Sequence, residues 1–227
     1  MHFTLPAPVI AAALITLPAV GVTTPFTETF DSNSAGWRDA GGGADIGWVP
    51  SGSFDGSAYA TTSFNFLNSA ADSDLAIARA QDGFNSSGDA FVGDWLASGV
   101  GEFSVWVRHD GPAPVNFFAR FASSANFPGA FALESATVAA NQWTRLTVSI
   151  DALNPQFVTF EGSDFNTVFS NIGNIQIGVR VPTAFAGLDQ SITFDIDSAG
   201  ISAAAVPAPA SASILALAGF ALTRRRR

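Results

Sequence analysis

The chain contains no cysteine and no lysine. Without cysteine it has no disulfides, no thiol nucleophile and no cysteine-ligated metal site. Charged residues make up only 13% of the 227 residues, about half the share that is usual in soluble domains. This low charge, with 21 Gly and 21 Phe, favours an all-β extracellular module over a helical cytosolic enzyme.

The basic residues are unevenly placed. All ten are arginines, and the four that end the chain are Arg224, Arg225, Arg226 and Arg227. Without this cluster, 6 arginines face 19 acidic residues, which gives a net charge of −13 rather than −9. A body this acidic argues against nucleic-acid binding through phosphate contacts.

The N-terminal residues 1–21 have the pattern of a secretory signal helix. Residues 9–17 are apolar, and Ala19-Val20-Gly21 forms a small-x-small cleavage pattern. The segment before them has no Lys or Arg, only the free amine and His2. The alternative is a buried strand or helix of the domain, but the segment lacks period-2 alternation. We therefore predict a signal peptide over residues 1–21.

The C-terminal residues 206–227 differ from everything before them. A Pro/Ala stretch leads into the apolar residues 211–223, and the arginine cluster follows. About 20 apolar residues are needed to cross a bilayer, so this is a marginal stop-transfer helix. Its arginines would stay on the cytoplasmic side and hold the chain transiently in the inner membrane. The alternative is a frayed terminal helix of a soluble protein.

These three parts, in this order, resemble the PEP-CTERM sorting signal of the VPxPA type. The motif positions are Val206, Pro207, Ala208, Pro209 and Ala210, with Ala208 where that family usually has Glu. The resemblance covers about 22 residues. It implies recognition by an exosortase, a membrane protease of Gram-negative-type bacteria. It also implies delivery to the cell surface or extracellular matrix.

The body, residues 22–205, shows repeated period-2 alternation, which is typical of half-buried antiparallel strands. The predicted strands span residues 102–109, 115–122, 142–150, 175–181 and 192–196. Only residues 164–172 suggest a short helix or turn. The pattern predicts an all-β, antiparallel two-sheet sandwich, flanked by the N-terminal signal helix and the short C-terminal apolar helix.

Scattered aromatics and glycines of the body resemble jelly-roll domains of the galactose-binding-like type, which include carbohydrate-binding modules. The matching stretches are Phe30-Asp31, Gly36-Trp37, Trp48, Asp55-Gly56-Ser57-Ala58-Tyr59, a Trp-led strand from Gln142 to Val148, and Phe194-Asp195-Ile196-Asp197. The resemblance implies a jelly-roll β-sandwich. Such domains often hold a structural calcium between their first and last strands.

Catalytic patterns are missing from the sequence. It has no G-x-S-x-G elbow, and His109 is the one histidine of the body. Because His109 precedes Asp110-Gly111-Pro112, we predict that it is a solvated turn residue. The four glutamates form no paired motif of the kind that glycosidases use. We therefore predict a protein that is not an enzyme.

Acidic residues at both ends of the body suggest calcium, which prefers several oxygen ligands. The candidate ligands are Glu28, Asp31, Asp195 and Asp197. The alternative is that Asp195 and Asp197 are ordinary solvent-facing acids.

Arginines and aromatics on the outward strand faces suggest a sugar-binding surface. A sugar needs an apolar ring to stack on and planar donors for its hydroxyls or carboxylates. The candidates are Trp106, Arg108, Phe118, Arg120, Trp143, Arg145 and Arg180. Consecutive strands can belong to opposite sheets, so one shared surface is not required, and the arginines could instead bridge acids.

Together these observations predict an exported, non-catalytic β-sandwich that an exosortase-type system sorts to the surface and that binds extracellular polysaccharide. The first alternative is a purely structural or adhesive surface protein without a glycan site. A glycan-active enzyme is the third reading.

Overall fold

The alternating stretches of the body fold into two antiparallel sheets that pack face to face. The computed structural model describes residues 22–204, which contain twelve strands and one short α-helix. The predicted two-sheet sandwich is confirmed, and every strand pairing in these residues is antiparallel. The two predicted flanking helices, including the sorting motif and the arginine cluster, lie outside the described residues.

Sheet A carries both ends of the described chain. Its strands follow the order β3-β4-β12-β6-β9, and β1 pairs with one end of β12. The bounds are β1 Phe26–Glu28, β3 Gly47–Val49, β4 Tyr59–Asn65, β6 Val100–His109, β9 Thr144–Ser149 and β12 Ser191–Ala203.

Sheet B packs against sheet A and has the order β10-β8-β7-β11-β5-β2. The bounds are β2 Arg38–Asp39, β5 Asp74–Gln81, β7 Val115–Ala122, β8 Gly129–Val138, β10 Phe157–Thr159 and β11 Asn174–Arg180. Two 3-10 turns, Asp82–Phe84 and Ser86–Asp89, follow β5.

A single helical turn, α1, spans Phe165–Phe169, inside the segment predicted as a helix or turn. The Asp164 carboxylate caps it by accepting a hydrogen bond from the Thr167 backbone N–H at 2.9 Å. None of the helices among residues 22–204 is both long and apolar enough to cross a membrane.

Aromatic side chains fill the space between the two sheets. Phe121 of β7 lies at the centre of one cluster, with ring centroids 5.4 Å from Trp95, 5.2 Å from Phe103 and 5.5 Å from Phe169. All four side chains are buried. Such aromatic contacts, two of them edge-to-face, add to the free energy of burying apolar area.

The prediction for His109 is wrong. Its side chain is only 1% exposed and lies among the rings of Phe117, Phe185 and Phe194. His109 has the same parity as Val105 and Val107, so the strand carries it inward before the turn begins. Its Nδ1 accepts from the Gly111 N–H at 3.2 Å, and its Nε2 lies 3.0 Å from the Val138 carbonyl. These contacts suit a neutral ring with its proton on Nε2.

Candidate functional site

The outward faces of the two sheets divide the seven predicted ligand-binding residues. Trp106, Arg108 and Arg145 lie on the strands of sheet A, and Trp143 directly precedes its strand β9. Phe118, Arg120 and Arg180 lie on sheet B. Because the two faces point away from each other, the seven residues do not form one surface.

The three residues on sheet B are packed against or paired with other side chains of the protein. Phe118, predicted to face solvent, is 4% exposed and packs against Phe131 at a ring distance of 4.5 Å. Arg120 donates from Nε and a terminal nitrogen to Glu161, each at 2.6 Å. Arg180 pairs with Asp74 in the same two-pronged way, at 2.9 and 3.0 Å. The expected solvation of Phe118 is therefore wrong, because sheet B is covered there by its own side chains.

On sheet A, the loop of residues 50–58 between β3 and β4 folds back over the outer face. The Phe54 ring stacks on Trp106 with centroids 4.2 Å apart and planes 7° apart. The Ser53 hydroxyl donates to the Asp197 carboxylate, and the Gly52 carbonyl accepts from the Trp143 indole N–H at 3.2 Å. Trp106 is thus covered on one ring face.

Arg145 lies at the far edge of this face and is exposed. It donates to Glu102 at 3.0 Å and to the Ser104 hydroxyl at 2.9 Å. A pair this exposed contributes only about 0–1 kcal/mol to stability.

Arg108 forms the floor of an open cleft beside the loop. Its Nε donates to an Asp195 oxygen at 2.8 Å, and a terminal nitrogen lies at the same distance from that oxygen. The other Asp195 oxygen accepts from the Thr61 hydroxyl at 2.6 Å. The guanidinium carbon lies 5.2 Å from the centre of the Tyr59 ring and 4.7 Å from that of Trp143, so both rings hold the cation through their faces.

The Asp195 carboxylate stabilises the charged form of Arg108 further. Burial lowers the pKa of Arg108, but its hydrogen bond and charge interaction with Asp195 outweigh burial and raise the pKa above its ordinary value. The Arg108–Asp195 pair therefore presents little net charge to the cleft.

The cleft has a volume of about 480 Å³, within the range of roughly 300–1,000 Å³ that is typical of small-molecule sites. Its lining combines apolar, amide, hydroxyl and charged groups. The lining residues are Val49, Tyr59, Thr61, Arg108, His109, Asp110, Asn141, Thr193 and Asp195. A neighbouring depression of about 400 Å³ shares Thr61 and Thr193, so the groove continues toward β3.

Two polar side chains of the cleft have their hydrogen-bonding capacity available. Neither the Asn141 amide nor the Thr193 hydroxyl has a hydrogen-bond partner among residues 22–204. Asn141 is exposed and Thr193 is half-buried. An amide and a hydroxyl offer donors and acceptors together, which is what sugar hydroxyls require.

The predicted calcium ligands are not gathered into a site. Within the described residues, no group of three or more carboxylate or histidine side chains is arranged to hold a metal ion. Asp31 is exposed, and Glu28 accepts from the Phe30 N–H at 2.9 Å. Asp195 pairs with Arg108 instead. Calcium occupancy itself stays a prediction.

Asp195 and Asp197 are also not ordinary solvent-facing acids. They lie on the outward parity of β12, but Asp195 is 6% and Asp197 0% exposed, because the loop and Arg108 cover them. Burial raises the pKa of Asp197 above its ordinary value, against the lowering effect of the hydrogen bonds from Ser53 and Ser198.

No protein-family model matches the chain, and a search of curated proteins finds no match either. Solved structures do match. The tandem family 22 carbohydrate-binding modules of Paenibacillus barcinonensis Xyn10C align at 15% identity and a TM-score of 0.51, over 86% of this chain and 52% of that one. The chain shares the jelly-roll fold of carbohydrate-binding modules.

Two further matches have lower TM-scores. The Clostridium thermocellum xylanase 10B structure of a family 22 module with its GH10 module, complexed with xylohexaose, aligns at 18% identity and a TM-score of 0.47. It covers 78% of this chain, which spans only 28% of that protein. The family 11 module of C. thermocellum in complex with a β-1,3-1,4-mixed-linked tetrasaccharide aligns at 14% identity and a TM-score of 0.47, over 80% and 98% of the two chains.

Sequence reasoning missed most of the cleft. It selected Arg108, which lines the cleft, and Trp143, which packs behind Arg108, but not Tyr59, Asn141 or Thr193 as ligand-binding residues. Tyr59 is the single tyrosine of the chain and directly follows the 50–58 loop, which was a usable signal. Asn141 and Thr193 belong to distant segments that only the sheet topology brings together, so no local pattern marks them.

Proposed function

We propose that this protein is a non-catalytic polysaccharide-binding protein and that the cleft beside Arg108 holds the sugar chain. The observation that carries the proposal is the open groove over sheet A, where an aromatic–arginine floor lies beside an amide and a hydroxyl without partners in the described chain. The shared jelly-roll fold supports the class of function, because the matched Paenibacillus barcinonensis domains are carbohydrate-binding modules.

A neutral, hydroxyl-rich polysaccharide fits this cleft better than an acidic one. Its charged groups are Arg108, Asp195 and Asp110, and the first two neutralise each other. Asp110 accepts from the Thr193 backbone N–H at 2.7 Å and stays an acidic neighbour. A sugar carboxylate entering the cleft would therefore meet a negative charge.

The partners of the two cleft carboxylates, Asp195 and Asp110, favour binding without catalysis. Asp195 is held by Arg108 and Thr61, and Asp110 accepts from the backbone. A glycosidase needs one carboxyl group that donates a proton to the leaving oxygen. Both cleft carboxylates are engaged by groups of the protein itself, so we infer a binding role.

Affinity electrophoresis of the full chain through gels that contain xylan, mixed-linkage β-glucan or polygalacturonate tests this function. We expect retardation by at least one of the two neutral polymers. The double substitution Thr193→Val and Asn141→Gly removes two polar partners and should weaken binding about tenfold or more.

Thr147→Val is the matched control, because Thr147 lies on the same outer face but on β9, opposite Ser104 and away from the cleft. It should bind like the unchanged protein. Mobility that no polymer changes would favour the purely structural or adhesive alternative. Equal losses of polysaccharide binding in the control and the cleft variant would show that the sugar does not bind in the cleft.

We further propose that the protein is exported and sorted through its two ends. The support is the sequence pattern of residues 1–21 and 206–227, both outside the described residues. Deleting Arg224–Arg227 removes the charges that would hold the tail in the inner membrane, so in a bacterium with an exosortase the truncated protein should collect in the periplasm and not reach the cell surface. Unchanged release of the truncated chain would contradict this proposal.

A further inference from the structure

The arginines of the folded body are paired with acids, with one exception. Six arginines lie in residues 22–204, and five of them form ion pairs with Asp or Glu. Arg79, on β5 of sheet B, is in none of these pairs. The body has 19 acidic and 6 basic residues, so acidic partners are plentiful. An arginine that forms no ion pair is therefore unexpected.

Arg79 lies in a line of side chains that crosses sheet B at right angles to its strands. The registers place Arg79 opposite Arg38 on β2 and opposite Gln176 on β11, and Gln176 opposite Arg120 on β7. Residues that face each other across paired strands project to the same side of the sheet. Three cations therefore share one row, on the face opposite to the Arg108 cleft.

The terminal nitrogens of Arg79 are available to a ligand. Its Nε donates to the Ala40 carbonyl at 2.9 Å, and neither terminal nitrogen has an acceptor among the described residues. The side chain is half-buried. Burial lowers the pKa of Arg79, the nearby Arg120 lowers it further, and Asp39 acts in the opposite direction. An anion placed here would relieve the unfavourable interaction among these cations.

The other charged groups of the row are already engaged. Arg120 is held by Glu161, and Arg38 lies 3.0 Å from Asp45. Asp39 accepts from the Gly43 N–H at 3.1 Å. No carboxylate of the described chain forms an ion pair with Arg79, and Asp39 acts on it only through its charge at longer range.

Two buried atoms beside Arg79 also lack partners in the described chain. They are Nε of Arg38 and Oε1 of Gln81. Gln81 Oε1 and the Arg79 Cδ lie 3.2 and 3.6 Å from the position that a Cβ on Gly42 would occupy, so the two side chains are close neighbours. Buried polar atoms are nearly always hydrogen-bonded in native proteins. Four such side-chain atoms lack a partner in the described residues, and two of the four lie beside Arg79.

An aromatic surface adjoins the row. The Phe84 ring is 42% exposed, and the Arg38 guanidinium lies 3.8 Å from its centre. A sugar ring next to the anionic group would have an apolar ring to contact.

We propose that this row is a second binding site, specific for a carboxylate-bearing sugar, in which Arg79 grips the carboxylate with its two terminal nitrogens. A planar guanidinium holds a carboxylate with two parallel hydrogen bonds. The exposed Phe84 ring beside the row gives a sugar ring an apolar contact that an inorganic anion such as sulfate would not use. Gln81 Oε1 would accept from a neighbouring sugar hydroxyl. The protein would then hold a neutral chain on sheet A and an acidic chain on sheet B, and so connect two polysaccharides.

Calorimetric titration of the full chain with trigalacturonate and with its methyl ester tests the site, because the two ligands differ only in the charged group. We expect the acid to bind and the ester to bind at least tenfold more weakly, as is usual for a lost charge-assisted hydrogen bond. Arg79→Gln should weaken acid binding about tenfold to a hundredfold, and Arg79→Lys should bind with intermediate affinity.

Arg145→Gln is the matched control, since it removes an arginine from the opposite sheet, and it should leave binding of the acid unchanged. Equal affinity for acid and ester would overturn the proposal, as would an Arg79→Gln protein that binds like the unchanged one while melting at the same temperature. Displacement of the uronate by equimolar inorganic sulfate would overturn the carboxylate assignment. The cleft variant Thr193→Val with Asn141→Gly should keep its affinity for the acid, so the two sites can fail independently.

Discussion

Replacing Arg108 with alanine is expected to lower the free energy of unfolding by about 3 kcal/mol, because it leaves the buried Asp195 charge without its cation. This is the lower end of the range for broken buried pairs, since the Arg108 side chain is 25% exposed. The same change removes the group that holds Tyr59 and Trp143 at the cleft. We therefore also expect polysaccharide retention to fall at least tenfold, as measured by affinity electrophoresis beside urea unfolding curves.

The double substitution Arg108→Ala and Asp195→Asn separates the two effects. It removes the uncompensated charge, so a large part of the lost stability should return. Sugar binding should not return, because the floor of the cleft is still missing. Arg145→Ala, which breaks an exposed pair, should change stability by about 1 kcal/mol or less. If Arg145→Ala lowered the free energy of unfolding as much as Arg108→Ala does, burial would not explain the larger effect expected at Arg108.

Phe121→Ala should be still more destabilising, by about 3–5 kcal/mol, because it opens a cavity between the sheets. Phe121 is 0% exposed, and its ring contacts those of Trp95, Phe103 and Phe169. Because these neighbours belong to sheet A, to α1 and to the segment that precedes β6, the site cannot collapse to fill the space. Chemical unfolding monitored by tryptophan fluorescence measures the loss.

Phe127→Ala is the comparison for that experiment. Phe127 has the same side chain but is 62% exposed, so its removal should cost about 0.5 kcal/mol or less. Similar losses for the two variants would mean that the inter-sheet aromatic cluster does not dominate stability.

The strands that sequence could predict are those with clear alternation of large apolar residues. β7 has the predicted bounds, 115–122, and β6, β9 and β11 differ by one or two residues at an end. β5 was not predicted, because its inward positions include alanines, which give little hydrophobic contrast. β4 was likewise missed, since Thr and Ser occupy its outward positions in a segment rich in turn residues.

Strand parity predicted well which face of a sheet a side chain projects from. It predicted less well whether that side chain is exposed to solvent. Trp106, Phe118 and Arg120 all project outward, yet each is covered or held by a loop or by a neighbouring side chain. Parity describes a strand relative to its own sheet, whereas loops such as 50–58 come from elsewhere in the chain. Accessibility therefore depends on tertiary contacts that periodicity does not encode.

The two arginines that matter most for the second site were not selected from the sequence. Arg38 lies on a two-residue strand and Arg79 on the alanine-rich β5, so neither has a strong local pattern. The bias toward acidic residues did carry a usable signal. Because acids outnumber arginines, most arginines of this chain are expected to form ion pairs. Arg79 is the exception, and it can be identified only from a structure that shows the five pairs.

The central claim is that the groove over sheet A holds the polysaccharide, and the indole N–H resonances in an NMR titration test it most directly. The indole of Trp143 donates to Gly52, and its ring packs against Arg108 and Tyr59, which both line the cleft. The indole of Trp95 instead donates to Phe91 in the core, where Trp95 is 0% exposed. We predict that an oligosaccharide of the best-retained neutral polymer shifts the Trp143 resonance saturably and leaves the Trp95 resonance unmoved. Saturable binding that leaves Trp143 unmoved would contradict the account.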